Sequence, residues 1–241
     1  MSHQLATQLR EGTQEAHTMA ENVGFIKGFL QGVVEKASYR KLVGNFYFVY
    51  KAMEEAFDEH REHPVLSPLY FPELWRTRTL ERDLAYYYGN DWKSEVEMSP
   101  ACAEYVDRIH QISKEQPELL VAHAYTRYMG DLSGGQILKN IAKRAMGLED
   151  GSGLAFYDFE EISNPGPFKN QYREAMDGLP IADETATAIV KEANHSFHLN
   201  MKMFKELEGN WLKALFRLSW NSLLSRFKTS QRGSQSSPQA S

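Results

Sequence analysis

Apolar side chains recur at intervals of three and four along most of this chain, the spacing that lines one face of an α-helix. The period predicts helices over residues 5–20 and 23–31, then a long aromatic-rich helix over 39–62 that stops at Pro64. Residues 64–72, with Pro64, Pro68 and Pro72 and with Tyr70-Phe71, read as a loop or broken turn. A helix over 74–88 closes at Gly89-Asn90. Ser99-Pro100 supplies an N-cap followed by proline at the first helical position, which opens a helix to about Lys114. From Pro117 a further helix carries Leu120, Ala124, Tyr128, Leu132, Ile137, Ile141 and Ala145 over adjoining turns to Met146, with Gly147 as its stop. The glycine- and proline-rich residues 147–167 read as an excursion, 170–179 as a short helix, and 183–209 as a long one. No strand-rich run with regular turn signals interrupts this order, so one all-α domain over residues 1–228 is expected.

Three glycines break the helical preference of the 118–146 segment from inside. Gly130, Gly134 and Gly135 together forfeit about 3 kcal/mol relative to alanine. Gly130 and Gly134 lie one turn apart on one face, with Gly135 beside them and Asp131 next to the bared backbone. Such a face serves close helix–helix packing or a platform for a flat ligand. Spacing leaves both open.

Composition narrows the class. A chain of 241 residues with 42% apolar and 24% charged residues has the balance of a globular protein able to bury a sizeable core. The net charge of −5 argues against a nucleic-acid binder. Cys102, the single cysteine, excludes an internal disulfide and any multi-cysteine metal site. No window reaches 18 consecutive apolar residues and the N-terminus lacks a signal-peptide pattern, so a cytoplasmic protein without a membrane span is expected. Residues 210–228 form a basic amphipathic stretch with Trp211 and Trp220, suited to packing on the domain or to lying on a membrane surface. Residues 229–241, rich in Ser, Gln and Gly, are expected to be disordered.

The unbroken Gly130-Asp-Leu-Ser-Gly-Gly-Gln136 resembles the distal-helix motif of the haem oxygenases. The resemblance extends through Glu118-Leu-Leu-Val-Ala-His-Ala-Tyr-Thr-Arg-Tyr128, Thr13-Gln-Glu-Ala-His-Thr-Met-Ala-Glu-Asn22 and Phe168-Lys-Asn-Gln-Tyr-Arg173, and through residues 197–204. It covers roughly residues 5–210. It implies an all-α fold in which haem lies between a proximal helix and a kinked, glycine-rich distal helix.

Eight histidines are present, and chemistry alone does not choose an iron ligand among them. His17 has one point in its favour, because Glu21 four residues on can accept from the imidazole N–H facing away from a metal. The resemblance assigns the ligand to His17. It places Gly130, Gly134 and Gly135 against the haem and makes Asp131 the group that organises water and protons there. Tyr50, Arg127 and Asn200 match positions of the same water network, although a buried ion pair for Arg127 and a core role for Tyr50 are also open. Lys169 and Arg173, four apart on one helical face, with Arg10 seven residues before His17, match cations for the haem propionates. The family often has lysine where Arg10 stands, and Gln14 replaces a residue that is basic in some members. Tyr125, Phe197 and Phe204 would line the pocket.

The implied reaction cleaves haem b, which is also the substrate, at the α-meso carbon to biliverdin IXα, carbon monoxide and ferrous iron. It uses O2 and external electrons, because no flavin or nicotinamide fingerprint is present. The resemblance implies reduced ferredoxin as donor, docking on Arg10, Lys169 and Arg173, a bilin reductase downstream and a monomeric enzyme. Two rivals remain. Glu192-Ala-Asn-His195 and Asp107-Arg-Ile-His110 have the spacing of a di-iron carboxylate bundle, which needs two further glutamates. A haem carrier of this fold would be expected to lack His17 or Asp131.

Overall fold

The computed structural model describes residues 4–232, with side chains to residue 207. The order is α1 (Leu5–Gly12), α2 (Gln14–Glu21), α3 (Gly24–Leu30), α4 (Lys36–Glu59), α5 (Thr77–Tyr88), α6 (Pro100–Glu115), α7 (Leu120–Ala124), α8 (Gly130–Met146), α9 (Pro165–Asp177) and α10 (Asp183–Arg232). Short 3-10 turns fill several connections, and among the described residues there is no strand. The all-α expectation holds.

One continuous core joins the helices. Helix α4 packs between α5 and α6, while α10 runs past α2, α3, α6 and α7. Tyr39, Tyr50 and Met53 from α4 meet Leu80 and Leu84 from α5, Tyr105 and Ile109 from α6, and Ile189 and Met203 from α10, all fully buried.

Several boundaries differ from the periodic reading, each for a local reason. The first helix breaks in two at Thr13, whose hydroxyl turns back to donate to the Leu9 carbonyl at 2.7 Å. Gly12 beside it lies so close to α10 that an added Cβ would sit 2.6 Å from Val190. Helix α5 starts at Thr77 rather than 74, because the buried Glu54 carboxylate of α4 accepts from the backbone N–H groups of Arg76 and Thr77. A cap supplied from another helix leaves no mark in the local sequence. Helix α9 begins five residues before residue 170, where Asn164 accepts from the Gly166 N–H at 3.1 Å and Pro165 occupies the first helical position.

The excursion after α8 holds a 3-10 turn at Ala155–Tyr157, pinned by Asp83, whose carboxylate accepts from the N–H groups of Ala155 (2.7 Å) and Phe156 (2.8 Å). Helix α10 continues through Gly209 without a break, so the basic stretch 210–228 and residues 229–232 extend the same helix. Which way that stretch faces lies outside the described side chains, and residues 233–241 lie outside the described residues. Among the described residues no helix is long and apolar enough to cross a membrane.

Candidate functional site

The segment expected as one helix from 118 to 146 is built in three parts. A 3-10 turn at Pro117–Leu119 leads into α7, a π-helical turn spans Tyr125–Met129, and α8 follows from Gly130. A π turn holds one residue more than the α-helical hydrogen-bond ladder accommodates, and such turns kink helices. Gly147 ends α8 in the left-handed conformation, with φ 66°, as its position in the sequence suggests.

The glycines of α8 do not serve helix packing. A Cβ added to Gly130 or Gly134 would meet no atom within 4 Å, and only Gly135 approaches a neighbour, with Tyr157 at 3.6 Å. In a packed Gly-xxx-Gly pair the partner backbone would fill that space. The bared face therefore fronts open space, which suits a flat ligand.

Beside this face lies a buried polar cluster. Tyr50 of α4 donates to Asp131 Oδ2. The Arg127 guanidinium donates from Nε to the Tyr50 hydroxyl at 2.9 Å and from Nη1 to Asn200 Oδ1 at 2.7 Å, and lies 3.8 Å from Asp131 Oδ1. It also stacks over the rings of Phe46 (4.3 Å) and Tyr50 (4.9 Å). Burial raises the Asp131 pKa from its ordinary value, against the pull of Arg127, Tyr50 and Arg76. Burial also drives the Tyr50 hydroxyl well upward. For Arg127 burial works downward, but Tyr50, Asp131 and Tyr105 outweigh it and keep the guanidinium charged. The cluster thus pairs a charged guanidinium with a carboxyl group whose pKa burial raises.

The cluster is longer than the motif suggests. Asn200 donates to the Ser196 carbonyl (2.9 Å) and toward the Tyr105 hydroxyl (3.5 Å), and Tyr105 shares a hydrogen bond with the Ser196 hydroxyl at 2.6 Å. His123 then bridges Tyr105 (3.4 Å) and Glu192 (3.0 Å), and Arg108 closes on Glu192 with two hydrogen bonds of 2.9 and 2.6 Å. Sequence reading missed Tyr105, His123 and Ser196. The available signal was Glu192, Ser196 and Asn200, a polar stripe at four-residue spacing on an otherwise apolar helical face. Because Glu192 is held by Arg108 and His123, it is not free to serve the di-iron arrangement that its spacing imitates.

His17 stands on α2 with its side chain 56% exposed. Its Nδ1 lies 3.7 Å from Glu21 Oε1, the intended partner but beyond hydrogen-bond reach. Phe197 of α10 packs against the His17 ring edge-on at 5.7 Å. Among the described residues Nε2 has no protein partner, which suits an iron ligand. Phe204 lies deeper, in an aromatic group with Phe25 and Phe46 at 6.3 and 6.4 Å, so its role in this structure is that of core.

The break at Thr13 alters the expected alignment of Arg10 with His17, which sit on different helices. Arg10 nonetheless joins Arg173 and Thr13 in the electrostatic surroundings of Tyr125. Burial raises the Tyr125 pKa, and Thr13, Arg173 and Arg10 oppose it. Lys169 reaches from α9 to the Ser133 hydroxyl of α8 at 3.3 Å. Among the described residues Arg10 and Arg173 otherwise hold local partners, Glu11 (3.3 Å) and Asn170 (2.9 Å). Three cations thus collect where α1, α8 and α9 meet.

Comparison with known proteins gives a consistent result. A family model described as "Heme oxygenase" matches residues 3–206. The protein named heme oxygenase 1 of the cyanobacterium Synechocystis is 61% identical over 226 residues, 94% of each chain. The crystal structure of heme oxygenase-1 from Synechocystis in complex with heme superposes with a TM-score of 0.89, covering 91% of this chain and 99% of that one. The crystal structure of heme oxygenase-2 from Synechocystis, in complex with heme and NO, gives 0.87 at 45% identity, with 92% of each chain covered.

Proposed function

The chain belongs to the haem oxygenase family, and from that premise we propose that it cleaves haem at the α-meso carbon to biliverdin IXα, carbon monoxide and ferrous iron, with electrons from reduced ferredoxin. The observation that carries the reading is the open glycine face of α8 beside the Asp131–Tyr50–Arg127 cluster. A carrier needs the first of these features but has no use for a buried carboxyl with a raised pKa.

Haem is substrate here, and when bound its iron supplies the means of activating O2. The residues divide the remaining tasks. His17 would offer Nε2 as the protein ligand to the haem iron, with Phe197 packed edge-on against its ring and Glu21 3.7 Å from its Nδ1. Arg10, Lys169 and Arg173 supply charge for the two propionates, with Tyr125 in the field of Arg10 and Arg173. Gly130 and Gly134 let the backbone itself bound the oxygen side, which restricts direction without adding a side chain. Asp131, held by Tyr50 and Arg127, passes protons to oxygen through water, and Asn200 fixes the far side of Arg127. The cationic rim also suits docking of an acidic ferredoxin, with attraction that weakens at high salt. This reading takes residues 1–228 as the functional domain, a monomer acting in the cytoplasm.

The test is an optical record of haemin-loaded protein in air with ferredoxin, its reductase, NADPH and catalase. Loss of the Soret band with growth of a biliverdin band is expected. A stable spectrum that never bleaches would overturn the enzymatic reading in favour of a carrier, and failure to bind haemin would overturn both.

A further inference from the structure

Behind α8, on the side away from the glycine face, lies a cavity of ≈ 400 Å³ lined by Asp131, Leu132, Gln136, Asp158, Phe159, Glu160, Ile162 and Pro165. Its position follows from helix geometry. Leu132 and Gln136 each stand two residues after Gly130 and Gly134, a rotation of roughly 200° about the helix axis. The two faces are therefore nearly opposite. Asp131 stands between them, and it belongs both to the polar cluster beside the glycine face and to the cavity wall.

The outer wall is held in place by charge. Lys139 of α8 donates to both carboxylate oxygens of Asp158, at 2.5 and 2.7 Å. Arg82 of α5 binds Glu160 at 2.6 Å. The buried Arg76 guanidinium stacks on Phe159 at 3.8 Å and donates to the carbonyls of Phe156 and Asp158. Three cations from two directions tether residues 156–160, so the cavity is a fixed feature rather than a gap beside a loose loop. Its rim is polar, with Glu160 exposed and Gln136 at the surface.

We propose that this cavity is a second solvent route to Asp131, which recharges the carboxyl with protons from behind while substrate covers the glycine face. The proposal rests on the reading of Asp131 as the proton-handling group. O2 reduced to water takes up one proton for each electron, so a buried donor must be reprotonated repeatedly within one turnover. A flat substrate over Gly130 and Gly134 closes the approach from that side. The cavity supplies an approach that substrate does not block.

The experiment measures access directly in the full-length protein. Leu132→Cys is exposed to a small methanethiosulfonate reagent with and without haemin, and labelling is followed by mass. Native Cys102 provides a slow background, being fully buried with its thiol pushed up to about 12 by burial. The expected result is that labelling rates with and without haemin agree within about twofold, and that adding Ile162→Trp slows both at least tenfold. Ile162→Phe, a smaller filling, serves if the tryptophan variant fails to fold. Labelling suppressed tenfold or more by haemin would overturn the proposal, as would no labelling in either form. In turnover, Ile162→Trp is expected to raise the solvent isotope effect at least twofold with haemin affinity unchanged; an unaltered isotope effect would also overturn the route. The outcomes separate the two ideas, since full activity in Asp131→Asn would sink the role of Asp131 while leaving solvent access demonstrated.

Discussion

Tyr50 and Asp131, 81 residues apart in sequence, share a partly buried hydrogen bond in which the tyrosine donates to carboxylate Oδ2. The same hydroxyl accepts from Arg127 Nε at 2.9 Å, so a neutral phenol links the cation to the acid. This arrangement separates two properties that ordinary mutations confuse. Asp131→Asn keeps the volume and a hydrogen-bond acceptor for Tyr50. It is expected to bind haemin within about threefold of the parent and to lose cleavage by a factor of ~10²–10⁴, the usual range for removal of a proton-transfer group. Asp131→Ala leaves the Arg127 guanidinium buried without its anion, and denaturant unfolding should show a loss of ~3 kcal/mol.

Gly134→Ala tests the glycine face. Its Cβ meets nothing within 4 Å and Gly134 is helical, so the haem-free protein should gain about 1 kcal/mol in unfolding free energy. Haemin affinity should fall by about tenfold, because the methyl group occupies the platform. Gly153→Ala is the contrasting control. There φ is +80° and the new Cβ would lie 2.6–2.8 Å from Tyr86 and Tyr87, so stability should drop. A loss of haem-free stability in Gly134→Ala would show that the face is packed in solution.

His17→Ala removes a half-exposed side chain and should shift stability by less than ~0.5 kcal/mol. Haemin should still enter the cleft but lose the spectrum of an imidazole-ligated iron. Added imidazole should restore that spectrum. Restoration failing while haemin remains bound would count against His17 as the ligand.

A pH-dependent contribution to stability is expected from Glu192. Burial alone would raise its pKa, but the hydrogen bonds from Arg108 and His123 hold it down to about 2, against an ordinary 4.5. A carboxyl with a depressed native pKa stabilises fully above its unfolded value and loses that contribution as pH falls through the native one. The shift corresponds to on the order of 3 kcal/mol. The stability gap between the parent and Glu192→Gln should therefore be widest above pH 5 and shrink steadily between pH 4.5 and 2. A gap independent of pH in urea titrations would mean that packing, not charge, makes Glu192 matter.

The order of helices and the glycine-bearing segment were legible in the sequence because both are written locally, in apolar spacing and in residue type. Ser99-Pro100 and Gly147 mark helix ends in the structure as their chemistry suggests. The starts of α5 and α9 were less legible. The first is fixed by Glu54 from another helix, and the second by an Asn164-Pro165 cap within a stretch otherwise read as an excursion. The break at Thr13 likewise depends on the contact of Gly12 with Val190, 178 residues away. At the site, the family resemblance pointed to Tyr50, Arg127 and Asn200, and the structure gathers them around Asp131. It did not point to Tyr105 or His123, which reach the cluster only through tertiary packing. The aromatics Phe197 and Phe204 share one spacing but part company, one against His17 and one in the core.

The π turn at Tyr125–Met129 acts as an indexing step along an otherwise regular rod. Each residue added to or removed from a helix turns everything beyond it by roughly 100°. Deleting one residue from the turn would let α7 run straight into α8, with His123 still facing Glu192 and the glycines still four apart. The composition of the motif would be nearly intact, yet Asp131 would swing away from Tyr50 and the bared face would look elsewhere. The chemistry of this helix therefore depends on a count as much as on residue identity, and a single-codon deletion there should be more damaging than most substitutions within it.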